Sequence, residues 1–155
     1  VELAEDTAEE HLRRALELAH EAAADGNTPF GSLLVHDGRV VRESTNTTLT
    51  DDDVTAHPEL KLARWAAREL TPAERRATTM YTSTYPCMMC SGAFAYAGLG
   101  RLVYSVDGET AVDLAPDGRN EGPPLTTHLR ERADVTVVGP SLEAEGTAVH
   151  RDCWD

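Results

Sequence analysis

Four stretches of the chain are predicted to be helical from the spacing of their apolar residues or from a proline that suits a first helical turn. Apolar residues recur every three or four positions in the first stretch, which ends near Gly26, and again in the second, which begins at Pro58. The third runs from Pro86 to Gly98, and the last begins at Pro140. Glycine suits the end of a helix because it adopts the left-handed conformation found there.

Five shorter stretches are rich in β-branched and other apolar residues and predict strands. They are Phe30–His36, the segment around Val40 and Val41, Thr78–Thr82, Arg101–Val106 and Asp134–Val138. Asp37-Gly38 suits a tight hairpin turn between the first two strands. The later strands alternate with helices, which favours parallel pairing with right-handed crossovers. We therefore predict a three-layer α/β/α fold around a mixed five-stranded sheet, with 107–124 as a long loop.

Composition narrows the partners that this fold is expected to have. The 155 residues, 41% of them hydrophobic, suit a single domain spanning 1–155. Fourteen Lys and Arg against 27 Asp and Glu give a formal charge of -13, which opposes binding to nucleic acid. No apolar run is long enough to cross a membrane, so we expect a soluble, cytoplasmic protein. Three cysteines do not make a disulfide framework.

The candidate chemistry lies in two short stretches, each at the predicted start of a helix. Cys87 and Cys90 are three residues apart, so both thiols lie on one face of a helix and can bind one metal ion. His57 opens the other helix. One imidazole and two thiolates, with a fourth position free for water, are typical of a catalytic zinc site. Glu59, two residues from His57, suits proton transfer better than metal binding because it points in another direction.

These two stretches resemble the signature of the cytidine deaminase superfamily, H-x-E followed by P-C-x-x-C. Here the signature reads His57-Pro58-Glu59 and Pro86-Cys87-Met88-Met89-Cys90. The segment Pro29-Phe30-Gly31-Ser32 looks like the P-[FVI]-G-A of that family's first strand. The tail from Val138 to Trp154 is similar to tails of the guanine deaminase-like bacterial branch, which is related to tRNA adenosine deaminases.

What the resemblance implies is hydrolytic deamination with Zn²⁺ as the cofactor. Glu59 would move protons among water, the ring nitrogen and the leaving amine, and ammonia would be released. The expected substrate is a free nucleobase or a related amino-heterocycle, such as guanine, cytosine or an aza or s-triazine analogue. The same likeness implies a homodimer and a set of substrate contacts, which are Phe30, Gly31, Asn46, Ser83, Tyr85 and Trp154.

Tyr85 departs from the family, because glutamate is the commonest residue before its proline-cysteine pair. An aromatic side chain at this position can stack or donate a hydrogen bond. Pro58 stands where the family usually has alanine. These departures leave the identity of the substrate open.

Three other interpretations of the chain remain open. The cysteine pair could hold a structural zinc or do redox work, although a structural site needs a fourth protein ligand. The chain could be a tRNA adenosine deaminase, which its charge disfavours, or a non-catalytic zinc domain for protein interaction, which leaves Glu59 unexplained.

Several single residues also carry ordinary structural interpretations. Asn46 could form a turn, Phe30 could belong to the core and Trp154 could anchor the tail. His150, like the other histidines outside the motif, is expected to be a surface or packing residue. A second proton carrier is not identified, and the candidates are Asp107, Glu109, Asp113 and Glu143.

Overall fold

The computed structural model describes residues 6–115 and 129–154. Their helices and strands alternate after an initial helix and hairpin. The helices are α1 (Asp6–Ala24), α2 (Pro58–Glu69), α3 (Pro72–Arg76), α4 (Met88–Ala97), α5 (Gly108–Leu114) and α6 (Glu143–Cys153). The strands are β1 (Gly31–His36), β2 (Arg39–Thr45), β3 (Thr79–Thr84), β4 (Arg101–Val106) and β5 (Thr136–Val138).

The five strands form one mixed sheet in the order β2-β1-β3-β4-β5. β1 is antiparallel to β2 and β3, whereas β4 is parallel to β3 and β5. Asp37 and Gly38 form the hairpin turn with positive φ angles of 52° and 73°, as a tight turn requires. The predicted mixed five-stranded sheet is therefore confirmed.

Successive side chains of β1 point to opposite faces of the sheet, and different helices cover the two faces. Leu34 packs with Met80 and Leu102 in the core that α2 and α4 cover. Its neighbours Leu33 and Val35 point the opposite way and pack with α1. Both faces are thus buried, and the carboxyl end of β3 leads directly to the start of α4.

The structure corrects several predicted elements. The last helix, α6, begins at Glu143 rather than Pro140. α4 begins at Met88 rather than Pro86, so Cys87 is its N-cap. α5 occupies Gly108–Leu114, within the stretch predicted as a loop, and 116–124 lies outside the described residues. The short helix α3 was not predicted, although Thr71 and Glu74 form its capping box.

Among the helices described, none is long and apolar enough to span a membrane.

Candidate active site

Two helix N-termini bring the three predicted metal ligands together. His57 is the N-cap of α2, and Cys87 is the N-cap of α4, with Cys90 in the first turn of α4. His57 Nδ1 lies 3.7 Å from Cys87 Sγ and 3.5 Å from Cys90 Sγ. The side chains therefore converge on one point although 30 residues separate the two motifs.

The donor atoms of this cluster fit a tetrahedral zinc ion. All three ligand atoms lie within 4.8 Å of one another, and the described residues contain no other such group of three His, Cys, Asp or Glu side chains. Zinc bonds of about 2.1 Å to nitrogen and 2.3 Å to sulfur place two such donors about 3.6 Å apart, which agrees with the distances here. Three protein ligands leave a fourth position for water or substrate.

The environment of the cluster favours a thiolate at Cys87. Hydrogen bonds from Cys90 and then from His57 lower the pKa of Cys87 to about 4 against the opposing effect of burial. Sharing a proton with Cys87 raises the pKa of Cys90. The positive ends of α2 and α4 favour negative charge at their first residues, and a bound cation adds to that effect.

Glu59 is buried beside the cluster, with 5% of its surface exposed. Burial raises the pKa of Glu59 to about 7, while the charge of His57 opposes the rise. Ser32 Oγ lies 3.5 Å from Glu59 Oε1 and 2.7 Å from Thr82 Oγ1. Ser32 and Thr82 come from adjacent strands, so the sheet supplies the polar neighbours of this carboxyl group. A buried carboxyl that can take up and release a proton suits general acid–base work.

Asn46 is buried in the loop after β2, and its amide has a defined orientation. Its Oδ1 accepts hydrogen bonds from the Thr48 backbone N–H (3.0 Å) and the Thr48 hydroxyl (2.9 Å). The side chain therefore forms the turn that its residue type suggested. Because the oxygen is used locally, the group that Asn46 can offer a ligand is its Nδ2 donor.

Two residues that the sequence analysis did not single out hold this loop in place. Lys61 Nζ donates to the Thr45 carbonyl at 2.7 Å and to the Thr47 hydroxyl at 2.9 Å. Asn27 Oδ1 accepts from the Leu49 and Thr50 backbone N–H groups, each at 3.0 Å. Lys61 follows His57 by one helical turn, a spacing that could have indicated its role.

Phe30, Gly31 and Ser83 lie where the start of β1 meets the end of β3. The Gly31 N–H donates to Ser83 Oγ at 3.1 Å, so that amide is already used within the protein. A Cβ on Gly31 would lie 2.5 Å from the backbone of Ala19 in α1, which explains the glycine by packing. The Asn46 N–H donates to the Phe30 carbonyl at 3.0 Å, which joins the loop to this corner.

Tyr85 lies in the hydrophobic core, packed edge-on against Tyr104 with ring centroids 5.0 Å apart. Its hydroxyl is buried, and the polar groups nearest to it are the backbone N–H groups of Leu129 and Arg130. Burial raises the pKa of this phenol, while the positive charge of Arg130 opposes the rise.

The C-terminal tail reaches the same corner within its own chain. The Trp154 ring meets Phe30 edge-on at 6.0 Å, and Trp154 Nε1 donates to His150 Nδ1 at 3.0 Å. His150 Nε2 lies 3.0 Å from Thr84 Oγ1, at the end of β3. His150 is a buried packing residue, with 1% of its surface exposed, but it also makes two specific hydrogen bonds. Because His150 precedes Trp154 by four residues, which is about one helical turn, the sequence could have indicated the contact between them.

The four acidic candidates for a second proton carrier differ in their surroundings. Asp107 accepts from the Tyr104 hydroxyl at 2.9 Å and lies 3.5 Å from Arg130, so it has partners of its own. The others are exposed; they are Glu109, Asp113 and Glu143.

Comparison with known proteins is consistent with this geometry. The family described as "Cytidine and deoxycytidylate deaminase zinc-binding region" matches residues 5–106. A probable cytosine deaminase of Schizosaccharomyces pombe is 32% identical over 150 residues, covering 94% of this chain and 91% of that protein. The guanine deaminase of Bacillus subtilis is 34% identical over 110 residues, which is 70% of each chain.

A solved structure from studies of A-to-I editing by tRNA:A34 deaminases has the same fold. It superposes with a TM-score of 0.71 at 27% identity and covers 91% of this chain and 99% of its own. All three relatives are described as deaminases, while their described substrates differ.

Proposed function

This chain belongs to the cytidine and deoxycytidylate deaminase family of zinc-dependent enzymes, and from that membership we propose that it deaminates a free nucleobase by hydrolysis. The observation that carries the proposal is the buried carboxyl of Glu59 beside the cluster of His57, Cys87 and Cys90. A structural zinc site needs four protein ligands and no buried acid at its edge. Three ligands with a neighbouring acid suit catalysis.

The proposed reaction divides the chemistry between the ligands and Glu59. A zinc ion held by His57, Cys87 and Cys90 supplies Lewis-acid activation of water. Glu59 accepts a proton as the water oxygen bonds to the amino-bearing ring carbon, and it delivers that proton to the adjacent ring nitrogen. It then carries the second water proton to the amine as the carbon–nitrogen bond breaks. One water is consumed, one ammonia leaves, and the ring keeps the oxygen.

The proposed substrate contacts combine one oriented donor with aromatic surface. Asn46 offers Nδ2 to an oxygen or nitrogen acceptor on the ring, because Thr48 occupies its oxygen. Phe30 and Trp154 provide apolar contact for a planar base. Gly31 and Ser83 contact the base through backbone groups other than the Gly31 N–H, which already donates to Ser83 Oγ. Tyr85 packs in the core, so we assign it an indirect role in shaping the pocket.

A free base is favoured over tRNA by charge and by the extent of the sequence match. A formal charge of -13 opposes the approach of a polyanion. The alignment with the probable cytosine deaminase includes nearly the whole chain. Cytosine and guanine each present a ring acceptor next to the amino-bearing carbon, so Asn46 and Glu59 suit either base.

We further propose that the enzyme is a cytoplasmic homodimer of single-domain chains spanning 1–155. α4 leaves Met88, Met89 and Tyr96 exposed, and Tyr96 retains 96% of its accessible surface. Exposed apolar residues on one helix favour contact with another subunit. Light scattering of the wild type should give twice the chain mass, and Tyr96→Glu should shift the mass toward that of one chain.

The deciding experiment is ammonia release from a panel of bases, nucleosides and a tRNA stem-loop. Glu59→Gln should abolish turnover of the preferred base, whereas Glu69→Gln, an exposed glutamate on the same helix, should leave it unchanged. Turnover of tRNA alone, lost on raising salt, would instead identify a tRNA adenosine deaminase. Bound zinc with no turnover of any amino-heterocycle would identify a non-catalytic zinc domain.

A further inference from the structure

The ring of His150 has both nitrogens engaged by partners from different parts of the chain. Nδ1 is 3.0 Å from Trp154 Nε1, and Nε2 is 3.0 Å from Thr84 Oγ1. Phe30 contacts the ring edge-on, with centroids 5.5 Å apart. His150 is thus the one side chain among the described residues that hydrogen-bonds both the tail and the end of β3.

The chemistry of these partners determines the tautomer of His150. An indole nitrogen can only donate a hydrogen bond, so Nδ1 must be the acceptor. The ring proton is then on Nε2 and is donated to the Thr84 hydroxyl oxygen. A protonated imidazole would carry a hydrogen on Nδ1 and would repel the indole N–H. Burial lowers the pKa of His150 to about 4, which agrees with a neutral ring.

Thr84 connects this contact to the metal ligands. It is the last residue of β3 and precedes Cys87, the N-cap of α4, by three residues. The start of the tail helix is held equally closely, because Gly146 packs against Ser105 and Val106 with no room for a Cβ. α6 therefore docks on the same chain at both ends.

We propose that His150 is a positioning residue that seats the C-terminal tail of its own chain, so that Trp154 and Phe30 form a fixed aromatic wall for a planar, uncharged base. The inference rests on the proposed function for its substrate but not for the docking itself. Because His150 touches neither Glu59 nor a metal ligand in the described contacts, its loss should weaken substrate binding more than the chemical step.

The first test distinguishes the effect of the two His150 hydrogen bonds from the effect of its aromatic ring. His150→Phe keeps an aromatic ring against Phe30 and removes both nitrogens, while Thr84→Val keeps the side-chain shape, Trp154→Phe keeps an aromatic ring, and each of these two removes one partner. Thr84→Val and Trp154→Phe should each raise KM for the preferred base about tenfold, as expected for one lost hydrogen bond, and His150→Phe should raise it further because it loses both. In all three variants kcat should stay within about threefold and zinc content should be unchanged. His36→Phe, on the far end of β1, should change neither constant. An equal fall in kcat at unchanged KM would overturn the proposal.

The second test needs no activity. Nitrogen-15 NMR of the histidine rings should show a proton on Nε2 of His150 at neutral pH, and Trp154→Phe should shift the Nδ1 signal. A proton on Nδ1 of His150, or an Nδ1 signal that does not change in Trp154→Phe, would overturn the proposed docking. If the wild type turned over no base, the proposed function would fail while this readout still decided the role of His150.

The third test asks whether the tail serves its own chain. Chains with Glu59→Gln and chains with Trp154→Ala are refolded together with zinc, so that mixed assemblies form. Docking within one chain predicts no activity beyond the sum of the two variants alone. Recovery toward the wild-type KM would mean that the tail crosses between subunits, and would overturn the proposal.

Discussion

The candidate site has two parts that are built in different ways. We call the part with the metal ligands the ligand end, and the part where the C-terminal tail contacts Phe30 and Thr84 the tail end. The ligand end consists of residues at the starts of α2 and α4, so each motif is set by the first turn of one helix. The tail end joins Phe30, Thr84, His150 and Trp154, which come from three separate elements or their flanks, β1, β3 and α6. The place of each ligand on its own helix follows from local spacing, whereas the tail end depends mainly on contacts between separate elements of the folded chain.

The two ends also differ in electrostatics. Cys87 and Glu59 at the ligand end have strongly shifted pKa values and can exchange protons or bind a cation. The contacts at the tail end are between neutral groups, since His150 is uncharged and meets a hydroxyl and an indole. We therefore propose that bond making belongs to the ligand end and that selection of a planar ring belongs to the tail end. Four predictions test that division, from the largest expected effect to the smallest.

Removal of one ligand should eliminate activity without disturbing the tail. Cys90→Ser replaces a buried thiolate in the cluster, so zinc content should fall to near zero and turnover below detection. Metal analysis and ammonia release measure the two effects. Cys153→Ser, outside the cluster, should retain one zinc per chain. Full zinc occupancy in Cys90→Ser would contradict the assignment of ligands.

The tail end should respond to acid through His150. Burial lowers its pKa from 6.5 to about 4, so the unfolded chain binds this proton more readily than the folded chain. The stabilising contribution is complete above pH 6.5 and is lost as the pH falls toward 4, by about 3 kcal/mol in all. The contacting residues Thr84, Phe30 and Trp154 are uncharged, so they do not titrate in this range.

Urea unfolding between pH 4 and 7 measures this contribution. The difference in unfolding free energy between wild type and His150→Phe should shrink by about that amount on acidification. The same pH dependence in both proteins would show that His150 does not hold a depressed pKa. Glu69→Gln, which changes an exposed side chain, should follow the wild type.

A larger side chain at the start of α6 should weaken substrate binding without changing the zinc content. Gly146→Leu forces side-chain atoms against Ser105 and Val106, and overpacking of this kind costs about 1–3 kcal/mol. We expect a lower melting temperature and a higher KM with zinc content unchanged. Ala144→Leu, exposed on the same helix, is the matched control. A loss of zinc in Gly146→Leu would show that the two ends are not separable.

The smallest effect is expected from the loop that carries Asn46. Lys61→Met keeps the aliphatic part of the side chain but removes its hydrogen bonds to Thr45 and Thr47, which should cost about 1 kcal/mol. A few-fold rise in KM, measured by ammonia release, should follow from a less ordered Asn46. Arg64→Met, on an exposed part of α2, should leave KM at the wild-type value.

Several features were predictable because they depend on neighbours in sequence. The hairpin at Asp37-Gly38, the start of α2 at Pro58 and the end of α4 at Gly98 follow from turn and cap preferences. α5 was missed because its glycine and charged residues resemble those of a loop. That 1–155 forms one domain, and that the protein is cytoplasmic, stay predictions.

The sequence alone determined the order of the strands along the chain and the mixed sheet, and it indicated His57, Glu59, Cys87 and Cys90 as candidate site residues, because regular spacing and helix starts are local properties. Only the tertiary structure decided that Asn46 presents its nitrogen, that Lys61 and Asn27 hold its loop, and that His150 joins Trp154 to Thr84. The contacts of Lys61 with Thr47, of Asn27 with Thr50 and of His150 with Thr84 join residues that are 14, 23 and 66 positions apart in the sequence. Burial makes these hydrogen bonds specific, because a buried polar group must find its partner inside the protein.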